Sequence, residues 1–311
     1  MNPILEVKNV VKQYGNYTAL NQVSLSVQKG SIYGLLGPNG AGKTSLLRII
    51  NQITMPDSGQ VFLDGDILQP KHIQQIGYMP EERGLYKSMK VGEQCLYLAQ
   101  LKGLSKTEAK NQLDYWFDKL EIQGWWNKKI EELSKGMAQK IQFVVCVLHQ
   151  PKLLIFDEPF SGFDPVNANL IKDEILELKQ KGATIIFSTH RMESVEELCD
   201  EIALIHKSNK LLDGKLIDIK KQFRTNAYEI GILPLDCAQG DKFESLISEL
   251  SKKFKVSKTD FKSLNEELKL EIEIGNSSPN ELLNLLISRG EVTHFLEKIP
   301  SMNDIFIQTV K

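Results

Sequence analysis

Gly37-Pro38-Asn39-Gly40-Ala41-Gly42-Lys43-Thr44 follows an apolar run, Ile32-Tyr33-Gly34-Leu35-Leu36, and opens a helical pattern over 43–51. The octapeptide fits G-x-x-x-x-G-K-[ST] in the strand-then-helix context that gives this spacing its meaning. Its glycines admit backbone conformations and close approaches that a Cβ would block. Successive backbone N–H groups then form a concave anion nest at a helix N-terminus. Lys43 reaches the β- and γ-phosphates of a nucleotide as a point charge, and Thr44 offers its hydroxyl to Mg²⁺. A chance glycine-rich turn would need neither the strand before it nor the helix after it.

Two further apolar runs, 153–156 and 184–187, suit strands buried on both faces of a parallel sheet. The first ends in Asp157-Glu158-Pro159. Two carboxylates at the end of an apolar strand are costly unless they have work. Asp157 is placed to face the Mg²⁺ held by Thr44. Glu158 is placed to polarise or orient the attacking water. The second run ends in Ser188-Thr189-His190, where His190 can donate a hydrogen bond to a γ-phosphate. Parallel α/β sheets take their ligands at the carboxyl ends of strands.

Outward from these runs, 4–14 and 19–27 read as an antiparallel pair around the turn Gly15-Asn16-Tyr17. Helical patterns at 43–51, 105–120, 134–148 and 165–181 alternate with strands and predict an α/β layer fold. Residues 85–148 are mostly helical by pattern. The first domain is expected to end near Leu211-Leu212-Asp213-Gly214, with a basic, polar hinge over 217–224. Beyond it, strands at 228–233, 268–274 and 292–297 and helices at 242–254 and 279–288 predict a small α+β unit.

The chain of 311 residues carries 38 basic and 40 acidic side chains, a formal net charge of −2, which disfavours a dedicated nucleic-acid binder. A charged fraction of 25% beside a hydrophobic fraction of 41% excludes disorder as the main state. No window of about 18 apolar residues spans a bilayer, and 1–10 lack a basic-then-apolar leader, so a cytoplasmic chain is expected. Cys95, Cys146, Cys199 and Cys237 form no close pair, and the histidines are scattered, so no protein-built metal or redox site is expected.

Leu133-Ser134-Lys135-Gly136-Met137 resembles the signature of ABC ATPases, usually Leu-Ser-Gly-Gly-Gln. Ser161-Gly162-Phe163-Asp164 resembles the family's D-loop, and Tyr14 matches the aromatic residue that stacks on adenine. With the phosphate loop, Asp157-Glu158 and His190 in the family's order, the resemblance covers roughly 4–217. It implies an α/β P-loop ABC ATPase domain over 1–220, with a mixed sheet core, an antiparallel β subdomain and a helical subdomain at about 85–148. A small C-terminal α+β domain over 221–311 resembles the extension of sodium- or drug-efflux exporter ATPases. ATP and Mg²⁺ are the implied cofactors. Catalysis falls to Glu158, His190 and Lys43. Metal binding falls to Thr44, Glu81 and Asp157. Nucleotide contacts fall to Tyr14, Gly37, Pro38, Asn39, Gly40, Ala41, Gly42, Lys43, Thr44, Ser45, Ser134, Lys135, Gly136 and Asp164.

The resemblance further implies a head-to-tail dimer, with a second copy or a paralogue, holding two ATP molecules between phosphate loop and signature. Ser134 can cap the following helix while its hydroxyl and the Gly136 N–H face a phosphate. Separate transmembrane permease subunits would hold the dimer on the inner face of the cell membrane. The competing class is a soluble ABC ATPase acting on a macromolecular complex. The single cassette, the short interval from Thr44 to Leu133 and the near-neutral charge disfavour it.

Two positions depart from the family pattern. Lys135 and Met137 replace glycine and glutamine in the signature; Lys135 either adds charge for a γ-phosphate or points to water. Glu81 stands where glutamine is usual after Pro80, and as a hard oxygen ligand it can take over as metal ligand and nucleotide sensor. Leu85, Tyr86, Met89, Val91, Tyr97 and Leu98 are candidates for a groove that receives the permease. Trp125 and Trp126 would lie ~100° apart in a helix, one packed and one partly exposed. Ile305, Phe306 and Ile307 are expected to serve as core or dimer contact.

Overall fold

A computed structural model describes residues 2–82, 84–161, 163–234, 241–262 and 267–310. Cys237 and Gly162 lie outside them. The chain divides into two compact units, Met1–Ile217 with Thr309–Lys311, and Asp218–Gln308.

In the larger unit β1 (Leu5–Tyr14) and β2 (Tyr17–Val27) form an antiparallel hairpin in which Tyr14 and Tyr17 face each other across the turn. β3 (Ile32–Leu36) is buried along its whole length, and α1 (Lys43–Ile50) follows the phosphate loop. β4 (Ser58–Leu63) and β5 (Asp66–Ile67) complete an antiparallel sheet of order β2-β1-β4-β5. β6 (Ile76–Met79) then enters the main sheet.

The helical subdomain comprises α2 (Val91–Leu101), α3 (Lys106–Lys119) and α4 (Lys135–Val147). A Ser105–Glu108 capping box starts α3, and the Ser134 hydroxyl caps α4. Trp116 meets Phe143 edge-on at 5.7 Å, and Phe143 stacks on Phe156 at 5.8 Å, so these helices share one core with the sheet. β7 (Leu153–Asp157), α5 (Pro165–Gln180), β8 (Thr184–Thr189), α6 (Met192–Leu198), β9 (Glu201–His206) and β10 (Asn209–Lys215) follow.

The main sheet has the order β10-β9-β3-β8-β7-β6, parallel except for β10 at its edge. β3, β7 and β8 lie side by side, so their carboxyl ends bring Gly37, Asp157-Glu158 and Ser188-Thr189-His190 to one edge. The apolar strand cores β3 and β7 are buried on both faces, as their continuous hydrophobic runs require.

The division between the units falls within the stretch 217–224 read as a hinge, and most of that stretch is helical: α7 (Leu216–Gln222) buries Ile219 and exposes Lys221. Leu211 to Gly214, near which the first domain is expected to end, lie inside β10, and the division between the units falls just after it, at Ile217. The smaller unit holds β11 (Ala227–Pro234), α8 (Asp241–Leu250), β12 (Lys255–Lys258), β13 (Leu268–Glu273), α9 (Pro279–Ile287), β14 (Gly290–Glu297) and α10 (Met302–Val310) as far as Gln308. Its sheet is antiparallel in the order β12-β13-β11-β14. α8 stops at Leu250, short of the predicted 254. In α10, Ile305 is buried and Ile307 is exposed.

The tryptophan pair is also corrected. Trp125 ends a single 3₁₀ turn, Gln123–Trp125, so the α-helical angle does not apply, and both rings are half-buried. Trp126 closes on Gly92, where an added Cβ would come within 2.3 Å of the indole. Of the predicted groove residues, Val91 is fully buried, Leu85, Met89 and Leu98 are half-buried, and Tyr86 and Tyr97 are exposed. Among the described residues no helix is long and apolar enough to cross a membrane.

Candidate functional site

The phosphate loop takes its shape from three glycines at positive φ: Gly37 at 145°, Gly40 at 78° and Gly42 at 115°. A Cβ on Gly37 would stand 2.1 Å from the Ile205 carbonyl oxygen, and one on Gly42 would stand 2.3 Å from that of Ala19. Only glycine fits either place. Ala41, buried beneath the loop, donates its N–H to the Pro38 carbonyl. No side chain caps the N-terminus of α1 and no acidic residue lies in its first turn, so its N–H groups stay open to an anion.

Lys43 is buried, and its ammonium donates to the carbonyls of Gly37 at 2.7 Å and Pro38 at 3.1 Å. Burial lowers its pKa, opposed by the facing charges of Glu158, Asp157 and Glu81. The lysine therefore sits among three carboxylates.

Those carboxylates line a cleft of about 250 Å³ together with Tyr14, Tyr17, Asn39, Gly40, Gly42, Lys43, Thr44 and Ser45. Asp157 accepts a hydrogen bond from the Ser188 hydroxyl at Oδ1, while its buried Oδ2 has no partner among the described residues. Glu158 is 7% exposed and sits at φ 50°, a left-handed conformation that costs about 1–2 kcal/mol for a residue with a Cβ. Its N–H bonds to the Ser188 carbonyl at 3.2 Å, and its carbonyl accepts from Ser161 at 3.0 Å. Its side chain meets His190 Nδ1 at 2.7 Å and accepts from the Thr189 hydroxyl at 3.4 Å.

The orphaned Asp157 oxygen, the Thr44 hydroxyl and Glu81 supply hard oxygen ligands in one place, which fits a magnesium ion. Among the described residues no group of three or more His, Cys, Asp and Glu side chains could cage a metal. A cation here would share its coordination with substrate phosphates, as Mg²⁺ commonly does.

The structure keeps the remaining predicted residues off this cleft. Ser134 accepts the Met137 N–H at the start of α4, and Lys135 is exposed. Gly136 lies beside Phe163, whose ring would be 3.8 Å from an added Cβ. Asp164 caps α5: its carboxylate accepts from the Asn167 N–H at 3.0 Å and from the Asn167 amide at 2.6 Å, which holds its pKa down.

Sequence reasoning missed Tyr17, whose hydroxyl donates to the Gly40 carbonyl at 2.5 Å, and the bonding of Ser188 and Thr189. An aromatic residue on each side of the Gly15-Asn16 turn was the available signal for Tyr17. Two hydroxyl residues ending a buried strand were the signal for the other pair.

Residues 20–161 match the family described as ABC transporter, and 214–310 match the C-terminal domain described as ATP-binding protein DrrA1-3-like. The uncharacterized ABC transporter ATP-binding protein YhaQ of Bacillus subtilis (strain 168) is 40% identical over 310 residues, covering 99% of this chain and 98% of its own. The linearmycin resistance ATP-binding protein LnrL of the same organism is 30% identical over 299 residues, covering 94% and 91%. A solved ATP binding subunit of an ABC transporter aligns with a TM-score of 0.66 at 32% identity, over 71% of this chain and 93% of that one. Full-length similarity, the fold and the phosphate loop agree: the chain belongs to the ATP-binding proteins of ABC transporters, a family of ATP-hydrolysing enzymes.

Proposed function

We propose that this chain is the ATP-hydrolysing subunit of a membrane exporter, with 1–220 as its motor and 221–311 as an accessory domain. It closes head-to-tail on a second copy or a paralogue, and separate transmembrane subunits convert that closure into transport at the cytoplasmic face. One observation carries the two-chain reading. The cleft around Lys43 is lined by the chain's own phosphate loop and carboxylates, but by no residue of 133–137. A phosphate held there is open on one side, and Ser134, Lys135 and Gly136 of a second chain supply the missing donors.

Within the cleft, Lys43 and the loop N–H groups bind the phosphates, and Tyr14 gives the base a face to stack on. Glu158 takes the proton of the attacking water, and His190, in contact with its carboxylate, orients both. Thr44, Asp157 and Glu81 would hold Mg²⁺, which when bound offsets phosphate charge. The exporter reading is supported by the match of 214–310 and by the resistance protein among the relatives.

Affinity purification of the tagged chain from detergent-solubilised membranes tests the reading. A polytopic membrane protein is expected in stoichiometric yield, with ATPase activity that survives in the complex. Recovery of the chain alone, with turnover stimulated by ribosomes or nucleic acid, would establish the competing class.

A further inference from the structure

We propose that Ser188 is a positioning residue for the metal: its hydroxyl fixes the Asp157 carboxylate so that one oxygen stays bare for a divalent cation. The inference rests on the reading of the cleft as an ATP site.

β7 and β8 run parallel with Asp157 directly opposite Ser188. Ser188 is fully buried, in a strand whose inner positions are otherwise Ile, Ile and Phe. Packing alone would be served as well by an apolar residue there, so the hydroxyl needs another explanation. A serine has one proton to give, and Ser188 Oγ gives it to Asp157 Oδ1. Ser188 Oγ in turn accepts the Glu158 N–H at 3.3 Å, and the Ser188 carbonyl accepts that N–H at 3.2 Å. One residue therefore holds the rotamer of Asp157 and the left-handed backbone of Glu158.

The consequence lies in what remains. Asp157 Oδ2 is buried and has no partner among the described residues. A bare, buried carboxylate oxygen is costly, and a cation relieves that cost. Thr189 does the parallel service for Glu158: its hydroxyl donates to Oε2 at 3.4 Å and accepts the Arg191 N–H at 3.0 Å. The end of β8 thus assigns one hydroxyl to the metal ligand and the next to the base.

The test uses the full chain carrying Glu158→Gln to suppress turnover, alone and with Ser188→Ala or Ser188→Thr. Protein and ATP are held at equal concentration, Mn²⁺ is titrated, and free Mn²⁺ is read by electron paramagnetic resonance. ATP affinity in EDTA is measured separately. Loss of an outer-shell partner weakens metal binding by about 10–100-fold. That loss is expected for Ser188→Ala, with metal-free ATP affinity unchanged and Ser188→Thr restoring Mn²⁺ binding. Unchanged Mn²⁺ affinity in Ser188→Ala overturns the proposal. So does an equal loss of metal-free ATP affinity, or failure of Ser188→Thr to restore binding. If the parent chain with Ser188 intact binds no ATP, the cleft reading itself falls and takes this inference with it.

Discussion

Replacing Glu158 by glutamine keeps the shape of the side chain and removes one charge. The amide oxygen still accepts from Thr189, so the left-handed turn after β7 is not asked to repack. Lys43 loses one of its three facing carboxylates but keeps Asp157 and Glu81, so the ammonium remains available for a phosphate. On the proposed role of Glu158, what disappears is the acceptor for the water's proton, 2.7 Å from His190. General-base contributions run at about 10²–10⁴-fold. At 1.36 kcal/mol per decade, that raises the barrier by about 2.7–5.4 kcal/mol. Phosphate release under saturating ATP should fall by that factor, while ATP affinity by equilibrium dialysis stays equal or tightens. Hydrolysis at the parent rate would refute the role given to Glu158. So would a loss of ATP binding that matched the loss of rate.

Gly42→Ala should lose nucleotide binding and lower Tm more than Gly40→Ala. Both force a left-handed alanine, at roughly 1–3 kcal/mol, but only at Gly42 does the new Cβ strike a carbonyl oxygen, at 2.3 Å; equal effects in calorimetry and ATP titration would contradict the loop geometry. Glu81→Gln should shift the Mg²⁺ concentration needed for half-maximal ATPase rate, and an unchanged rate with unchanged Mg²⁺ dependence would remove Glu81 from the metal site. His149 is pushed down to about 4, mainly by burial and then by the Lys102 ammonium, against the Ile76 carbonyl. Above the unfolded value of about 6.5 both states carry a neutral ring; below it the unfolded chain takes a proton that the folded ring refuses, so stability falls from pH 6.5 toward 4, by roughly 2 kcal/mol at pH 5. Unfolding of the chain and of His149→Gln at pH 7 and pH 5 checks this, and identical acid sensitivity would contradict it.

The parts legible in the sequence are those where a single backbone requirement selects the residue. Gly37 and Gly42 have no alternative at their φ and contact distances, and the runs 32–36, 153–156 and 184–187 had to be doubly buried to be so apolar. Asp157 and Glu158 were legible because charges at the end of such a strand need partners. Contacts made across the sheet were not. Nothing along the chain says that Ser188 lies opposite Asp157, since that pairing follows from the parallel register of β7 and β8. The Tyr17 bond to Gly40 likewise joins residues that only the hairpin brings together. β4, β5 and β12 escaped because short strands with a solvent face carry weak alternation, with Ser58, Gly59 and Gln60 all exposed. At 217–224 the junction between the units was legible but its helix was not, because a basic run hides a helix that needs only one buried face, which Ile219 supplies. The tryptophan pair misled because its reading assumed an α-helix where one 3₁₀ turn stands.

The central claim is that one chain holds only half of each ATP site. Its most direct test is the mass of Glu158→Gln in solution by light scattering, with and without ATP and Mg²⁺. The account predicts a shift from the 35.3 kDa monomer to a species of about twice that mass when ATP is present, lost again on Ser134→Arg in the signature. A chain that binds ATP and stays at 35.3 kDa would contradict it.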